Sequence, residues 1–270
     1  MGKFSWLLYF CLTYYLTSFN ASVAQVIEDQ TTPTQIKGDC QTSCRIEGGT
    51  NAGQNLFHSF QEFNVKSEAK VIFHDPGVSN IFSRITGQNP SSIFGVLGVK
   101  GGDANLFLIN PHGFIFGNNA RLDVNGSFVA TTADGIKFGK LGSFNSVPTE
   151  NENLTLLNIN PSAFFFNQLA ESSSLPSQIE VQPGAVLKVK PQENIVLLGS
   201  TRNNSPETTA TLTIDGGKIE TVGGNIQLGA VKVTNSPVEV AIDPSFQLFY
   251  PANPKGDISL TNGSRIIVNG

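Results

Sequence analysis

From residue 25 to its end this chain sustains no helical period; it breaks into short apolar runs bounded by Gly, Asn, Asp and Pro. The runs are Val71 to Phe73, Ile93 to Leu97, Leu106 to Ile109, Phe114 to Phe116, Leu122 to Val124 and Ser127 to Thr131. These are strand lengths with turn punctuation between them. The 27 Gly and 14 Pro supply the corners, since Gly permits positive φ and Pro refuses a ladder hydrogen bond in mid-strand. The fold class read from this pattern is all-β.

The second half repeats itself. Gly184 to Val189 precedes Asn194 to Gly199, Gly217 to Glu220 precedes Asn225 to Gly229, and Asp257 to Leu260 leads into Ser264 to Val268. The second strands of these units start 31 and 32 residues apart. A recurring unit of that size made only of short strands points to stacked coils that bury a shared core. A β-sandwich also shows closely spaced strands; the repeat and the brevity of the strands favour the solenoid, with the Arg202 to Thr209 segment as a loop between coils. Inward positions of successive coils stack, and Phe107, Phe116 and Phe128 are the candidates for an interior aromatic rung.

The N-terminus has the order of a secretory signal peptide. Lys3 precedes an apolar run from Phe4 to about Leu16, then a polar stretch and Ser22-Val23-Ala24, which sets residues 1–24 as the leader with cleavage after Ala24. Ser5, Thr13 and Tyr15 interrupt the run, which falls short of the roughly 20 apolar residues a bilayer crossing needs. Without the leader the chain has no Trp, no Met, one Tyr (Tyr250) and 17 of its 20 Phe. Its formal charge is −4 with the leader, and only 14% of residues are charged. A nucleic-acid binder depends on a basic surface to displace counterions, so no nucleic-acid partner is expected.

Chemistry-bearing patterns are few. In an exported chain, Cys40 and Cys44 most naturally close a small disulfide loop; a metal site would need further ligands, and His58, His74 and His112 are the only histidines. Gly135 to Leu141 lacks the length and the final Ser or Thr of a phosphate loop and reads as a turn between strands. Acidic residues are scattered singly, with no nucleophile elbow and no paired histidines. The expectation is no enzyme, no metal and no cofactor; the alternative is a β-helical polysaccharide-acting enzyme whose carboxylates converge across coils.

The most informative stretch reads GGTNAGQNLFHSFQEFNV (Gly48 to Val65), NIFSRITGQNPSSIFGVLGVKG (Asn80 to Gly101) and ANLFLINPHGFIFGNNARLDVNGSFVATTADGIKF (Ala104 to Phe138). It resembles the secretion domain of two-partner-secretion exoproteins, the filamentous-haemagglutinin N-terminal domain, in its cyanobacterial-type branch. Two blocks carry the likeness: Asn55-Leu56-Phe57-His58-Ser59-Phe60, and the turn Asn110-Pro111-His112-Gly113. The family's tetrad usually has Asn third and is followed by Ile, where this chain has His112 and Phe114. Its second motif, Asn-Pro-Asn-Leu, has no counterpart here; Asp75-Pro76-Gly77 lies in the corresponding region.

The resemblance implies a right-handed, single-stranded parallel β-helix with an N-terminal cap and inserted loops or hairpins. It also implies export to the periplasm, recognition there by the POTRA domains of an outer-membrane β-barrel transporter, and folding at the cell surface, where an adhesin part with host or cell-surface ligands is expected. Residues 25–53 are then the cap, 54–165 the secretion core and 166–270 further coils of the same domain. Asn110 to Gly113 is read as a nucleating turn or a transporter contact.

Overall fold

The computed structural model describes residues 25–150, 152–167, 177–202, 211–233, 236–251 and 255–270. The expected leader at 1–24 and most of the Arg202 to Thr209 segment lie outside the described residues.

The chain winds as a parallel β-helix with three faces. Face one stacks Asn55–Phe63, Asn80–Ile85, Asn105–Ile109, Phe128–Thr131, Ile195–Arg202 and Ile226–Val233, all parallel. Face two stacks Ser91–Ile93, Phe114–Phe116, Ile179–Val181, Leu212–Asp215 and Ile258–Thr261. Face three runs from Thr34–Asp39 and Ser43–Gly48 through Lys70–His74, Val96–Lys100, Arg121–Asp123, Val186–Lys188 and Lys218–Val222 to Arg265–Asn269. Each coil visits the faces in the order one, two, three, and its hydrogen bonds are made to neighbouring coils. A single coil therefore cannot satisfy its own backbone.

Two sequence expectations change at this level. Ile93 to Leu97 is not one strand: Ser91–Ile93 ends face two and Val96–Lys100 begins face three, with Gly95 at the corner. A Cβ at Gly95 would stand 2.3 Å from the Ala69 carbonyl oxygen and 2.4 Å from that of Lys66, so the corner needs glycine for close approach. Asp257 to Leu260 does not continue the series of Asn194 and Asn225. Ile258–Thr261 pairs with Leu212–Asp215 on face two, whereas Asn194 and Asn225 open strands of face one. An apolar run records its own burial but not which face it joins. The Gly135 to Leu141 stretch contains a strand, Gly135–Lys137, followed by a turn.

Twice the chain leaves after face one and builds an antiparallel sheet before returning to face two. That sheet orders Ser143–Asn145, Gly135–Lys137, Ala163–Phe166, Val238–Ile242 and Leu248–Phe249, and it lies over the outer side of face one. Strands of face one are consequently buried on both sides. Leu106 and Leu108 point into the coil interior while Phe107 and Ile109 point outward under the antiparallel sheet, giving two separate cores.

This revises the aromatic expectation. Phe116 and Phe128 do meet inside the coil, edge to face with centroids 6.1 Å apart. Phe107 is equally buried but belongs to the outer core. There it ends a second ladder: Phe57 stacks on Phe82 at 5.2 Å, Phe82 on Phe107 at 4.5 Å, and Phe107 on Phe246 of the inserted sheet at 5.8 Å. Each such aromatic pair contributes about 0.5–1.5 kcal/mol beyond area burial.

At the N-terminal end, Val26–Glu28 pairs antiparallel with Asn55–Phe63, and Thr34–Asp39 pairs antiparallel with Ser43–Gly48, so the first coil's edges are covered. Cys40 and Cys44 are joined by a disulfide across the turn of that hairpin.

Candidate functional site

The turn Asn110 to Gly113 is the corner between faces one and two in the third coil. Asn110 is wholly buried. Its Oδ1 accepts the His112 N–H at 2.9 Å, and its Nδ2 donates to the Asn89 carbonyl and to Ser91 Oγ, both at 3.0 Å. Gly113 donates its N–H to the Asn110 carbonyl at 3.0 Å and sits at φ +104°; a Cβ there would stand 2.4 Å from the Gln178 carbonyl oxygen. Ser177 Oγ donates to the Pro111 carbonyl, and the Asn110 N–H bonds Thr131 O at 3.0 Å. The tetrad is thus an Asn-initiated turn stitched to the coil before it and to the coil after it. The Pro111 and His112 side line a cleft of about 350 Å³ between the corner at Thr86 to Gln88 and the inserted sheet at Asn145 to Val147 and Phe165.

The other block, Asn55 to Phe60, is the first strand of face one, and alternation gives its residues separate jobs. Leu56 and Phe60 point into the coil, and Phe57 starts the outer aromatic ladder. Asn55 donates from Nδ2 to the carbonyls of Leu157 and Ile159, each at 2.7 Å. Its Oδ1 accepts from Asn80 Nδ2 at 3.0 Å, and Asn80 Oδ1 accepts from Asn105 Nδ2 at 3.0 Å. Asn105 Oδ1 then accepts the Ser127 N–H at 2.9 Å, Ser127 Oγ the Asn194 N–H at 2.9 Å, and Asn194 Oδ1 the Asn225 N–H at 3.0 Å. A polar ladder therefore climbs one corner through six coils. Its signal in the sequence is an Asn opening five of the six apolar strands, with Ser127 at the fourth.

His58 lies inside the coil with no exposure. Its Nδ1 shares a 3.0 Å hydrogen bond with Thr34 Oγ1 of the N-terminal hairpin, and its ring packs on Phe60 and Phe73. Nε2 is buried without a partner. Burial pushes the imidazole down to about 3, because desolvation disfavours the charged form. The ring is neutral and structural, with no room for proton traffic.

Ser59 faces outward into a network that the sequence reading does not single out. Arg84, the largest fully buried side chain, donates from Nε to Ser59 Oγ at 2.8 Å. Its NH1 donates to the Asn145 carbonyl at 2.7 Å and to Glu152 Oε1 at 2.8 Å, and NH2 to Thr31 Oγ1 at 3.1 Å. The guanidinium also rests on the Phe144 ring, 4.5 Å from its centroid. Asp29 accepts from Ser59, Thr86 and Thr31. Burial alone would raise the Asp29 carboxyl, but these hydrogen bonds outweigh it and hold it below the ordinary value. One network thereby joins the N-terminal segment, the first two coils and the inserted chain. Arg84 is written in the sequence only as one charge inside an apolar strand.

Two carboxylates of the described clefts, Glu152 and Asp134, are committed to structure. Glu152 lines a second cleft of about 310 Å³ with Glu150 and is paired with Arg84. Asp134, in the first cleft, accepts the Asn167 N–H. Asp75 is buried and takes the N–H groups of Gly77, Val78 and Ala104 at 2.7, 2.8 and 3.0 Å, tying two coils together. Among the described residues no cluster of His, Cys, Asp and Glu is placed to hold a metal ion.

A scan against family models matches the TPS secretion domain over residues 24–262. The chain therefore belongs to the TPS secretion domain family, the secretion domain of two-partner-secretion exoproteins. Among solved structures, the HMW1 secretion domain from Haemophilus influenzae superposes with a TM-score of 0.55 at 20% identity, over 90% of this chain and 54% of that one. This chain thus spans about half of that HMW1 chain, and the likeness is one of fold. The filamentous hemagglutinin secretion domain aligns at 14% identity with a TM-score of 0.44, over 90% of this chain and 95% of that one. A search of curated protein sequences found no significant match.

Proposed function

We propose that this domain carries the export signal of a two-partner-secretion exoprotein, read in the periplasm by the POTRA domains of an outer-membrane β-barrel transporter. In this reading the leader at 1–24 delivers the chain to the periplasm and is removed after Ala24. The extended chain then offers strands that can add to a sheet edge of the transporter's periplasmic part, and the β-helix forms at the cell surface. The observation that carries this is the family match over nearly the whole chain. The Asn110 to Gly113 turn supports it, since the Asn110 N–H and Nδ2 and the Pro111 carbonyl find their partners only in neighbouring coils and are open to a partner while the chain is extended. Coil closure outside removes the extended form and so disfavours return. The domain is not an enzyme in this reading: the cleft carboxylates Glu152 and Asp134 already hold Arg84 and the inserted chain. Adhesion is left to the solvent-facing surfaces of the helix.

The test is co-expression with a POTRA-bearing transporter. Asn110→Ala combined with Gly113→Val should abolish release into the medium while the chain still accumulates in the periplasm. Release at the native level would remove the turn from the mechanism.

A further inference from the structure

Of the three faces, face one is covered by the inserted sheet, and faces two and three present their outer sides to solvent. Their charges differ sharply. Each of the eight strands of face three carries one lysine or arginine, from Lys37 to Arg265, so the sheet holds eight of the chain's 17 cations against four carboxylates. The strands of face two carry no cation and two carboxylates, Glu180 and Asp215. In a chain of net charge −4, face three therefore carries a local excess of four positive charges and face two an excess of two negative ones.

The carboxylates of face three do not cancel it evenly. Glu47 pairs with Arg45, Asp123 with Lys100, and Glu220 takes both Lys188 and Lys218. Among the described residues no carboxylate pairs with Lys70, Arg121 or Arg265, all of them exposed. The strand register sets these three in one column: Lys70 beside Val96, then Arg121, Val186, Lys218 and Arg265. With strands 4.7–4.9 Å apart, the unpaired Lys70 and Arg121 stand about 9.6 Å apart and Arg121 and Arg265 about 14 Å apart, with Lys218, paired to Glu220, between the last two. Arg121 is held in place by the carbonyls of Ala120 and Gly184, each at 2.8 Å.

We propose that this column is a docking site for a linear anionic polysaccharide lying along the helix axis. The spacing selects the partner. Duplex nucleic acid carries a charge about every 1.7 Å, far denser than the column, and among the described residues the exposed ring of face three, His74, stands at the opposite end of its strand from the column. A lipid surface would engage cations across the whole width of the sheet, whereas here three of the four cations without a carboxylate partner among the described residues, Lys70, Arg121 and Arg265, share a single line, and Lys37 stands two positions off it. A sugar polymer with one acidic group per short repeat matches a sparse column, and Val96 and Val186 supply apolar patches between the charges.

The experiment measures binding of the full chain to immobilised heparin and to polygalacturonate, with neutral dextran as the blank. Binding to at least one polyanion at low salt, weakening as salt rises, is expected. Lys70→Gln with Arg265→Gln should weaken it at least tenfold, and Lys70→Gln alone about threefold. Lys66→Gln with Lys140→Gln, the same change in net charge off the column, should stay within twofold of native. Circular dichroism melts of each variant keep a folding defect from passing as a binding one. No binding to either polysaccharide overturns the proposal, as does equal weakening by the two pairs. Tighter binding to duplex DNA or to phosphatidylglycerol vesicles, with the column pair governing it, reassigns the face and overturns it as well.

Discussion

A neutral imidazole sealed inside a β-helix makes stability depend on pH in one direction. His58 titrates near 3 when folded and near 6.5 when unfolded. Between those values the unfolded chain binds the extra proton, so stability is complete above about pH 6.5 and falls as pH drops toward 3. The slope is about 1.4 kcal/mol per pH unit, or about 2 kcal/mol lost by pH 5. Urea unfolding at pH 7.5 and pH 5.0 should show that loss in the native chain and not in His58→Leu. Equal losses in both would clear His58 of responsibility. The Asp29 carboxyl, also held low, works in the same direction, but only as pH falls through and below its ordinary value, beneath the pH 5.0 of this measurement. The sequence could not assign His58 this role. His58 follows the outward Phe57 by one residue, so its inward direction depends on strand alternation, and its Thr34 partner is 24 residues away on another face.

At the level of elements, the double burial of face one decides what matters. Phe82 stacks on Phe57 and Phe107 and meets Phe138 edge-on at 5.2 Å. Phe82→Ala should cost about 3–5 kcal/mol, with hydrogen-exchange protection lost first in the inserted sheet above it and retained longer on face three. Uniform loss of protection would mean the two cores are not separable. The stacked short strands were legible from punctuation: Phe114 to Phe116 is a strand as read, and Asn194 and Asn225 open neighbouring coils. Facing was not legible. Phe107 and Phe128 look alike in their apolar runs, yet one packs outward and the other inward, because the covering sheet is supplied by residues 135 to 166 and 238 to 249. A strand buried on both sides loses the alternation that would have marked its inner side. Of the candidate site, the Asn110 to Gly113 turn was legible because turn chemistry is local. The Arg84 network was not, since its partners come from four separated segments.

For the molecule as a whole, that network is the tie between parts that otherwise meet only through packing. Arg84 has carboxylate, hydroxyl and carbonyl partners in the N-terminal segment, the first coil and the inserted chain. Removing one member of a buried ion pair costs about 3–5 kcal/mol, because the other charge is stranded. Arg84→Ala should lose about that much by urea denaturation, and adding Glu152→Ala to it should restore part of the loss. A cost below about 1 kcal/mol for Arg84→Ala would show that water reaches the site and the tie is weak.

The inserted sheet also sets a rhythm for assembly. Early neighbours on face one are 22 to 25 residues apart in the chain, but Ser127 and Asn194, which touch, are 67 apart. Closing the longer loop costs only about 0.9 kcal/mol more than closing one of 25 residues, so the native state hardly registers it. A chain arriving from one end does. After Phe128–Thr131 takes its place, the growing edge of face one has no strand to accept until more than sixty further residues have emerged. Stacking therefore proceeds in two bursts with a wait between them, and the bare edge at Phe128–Thr131 is the point where a stalled or foreign strand is most readily captured.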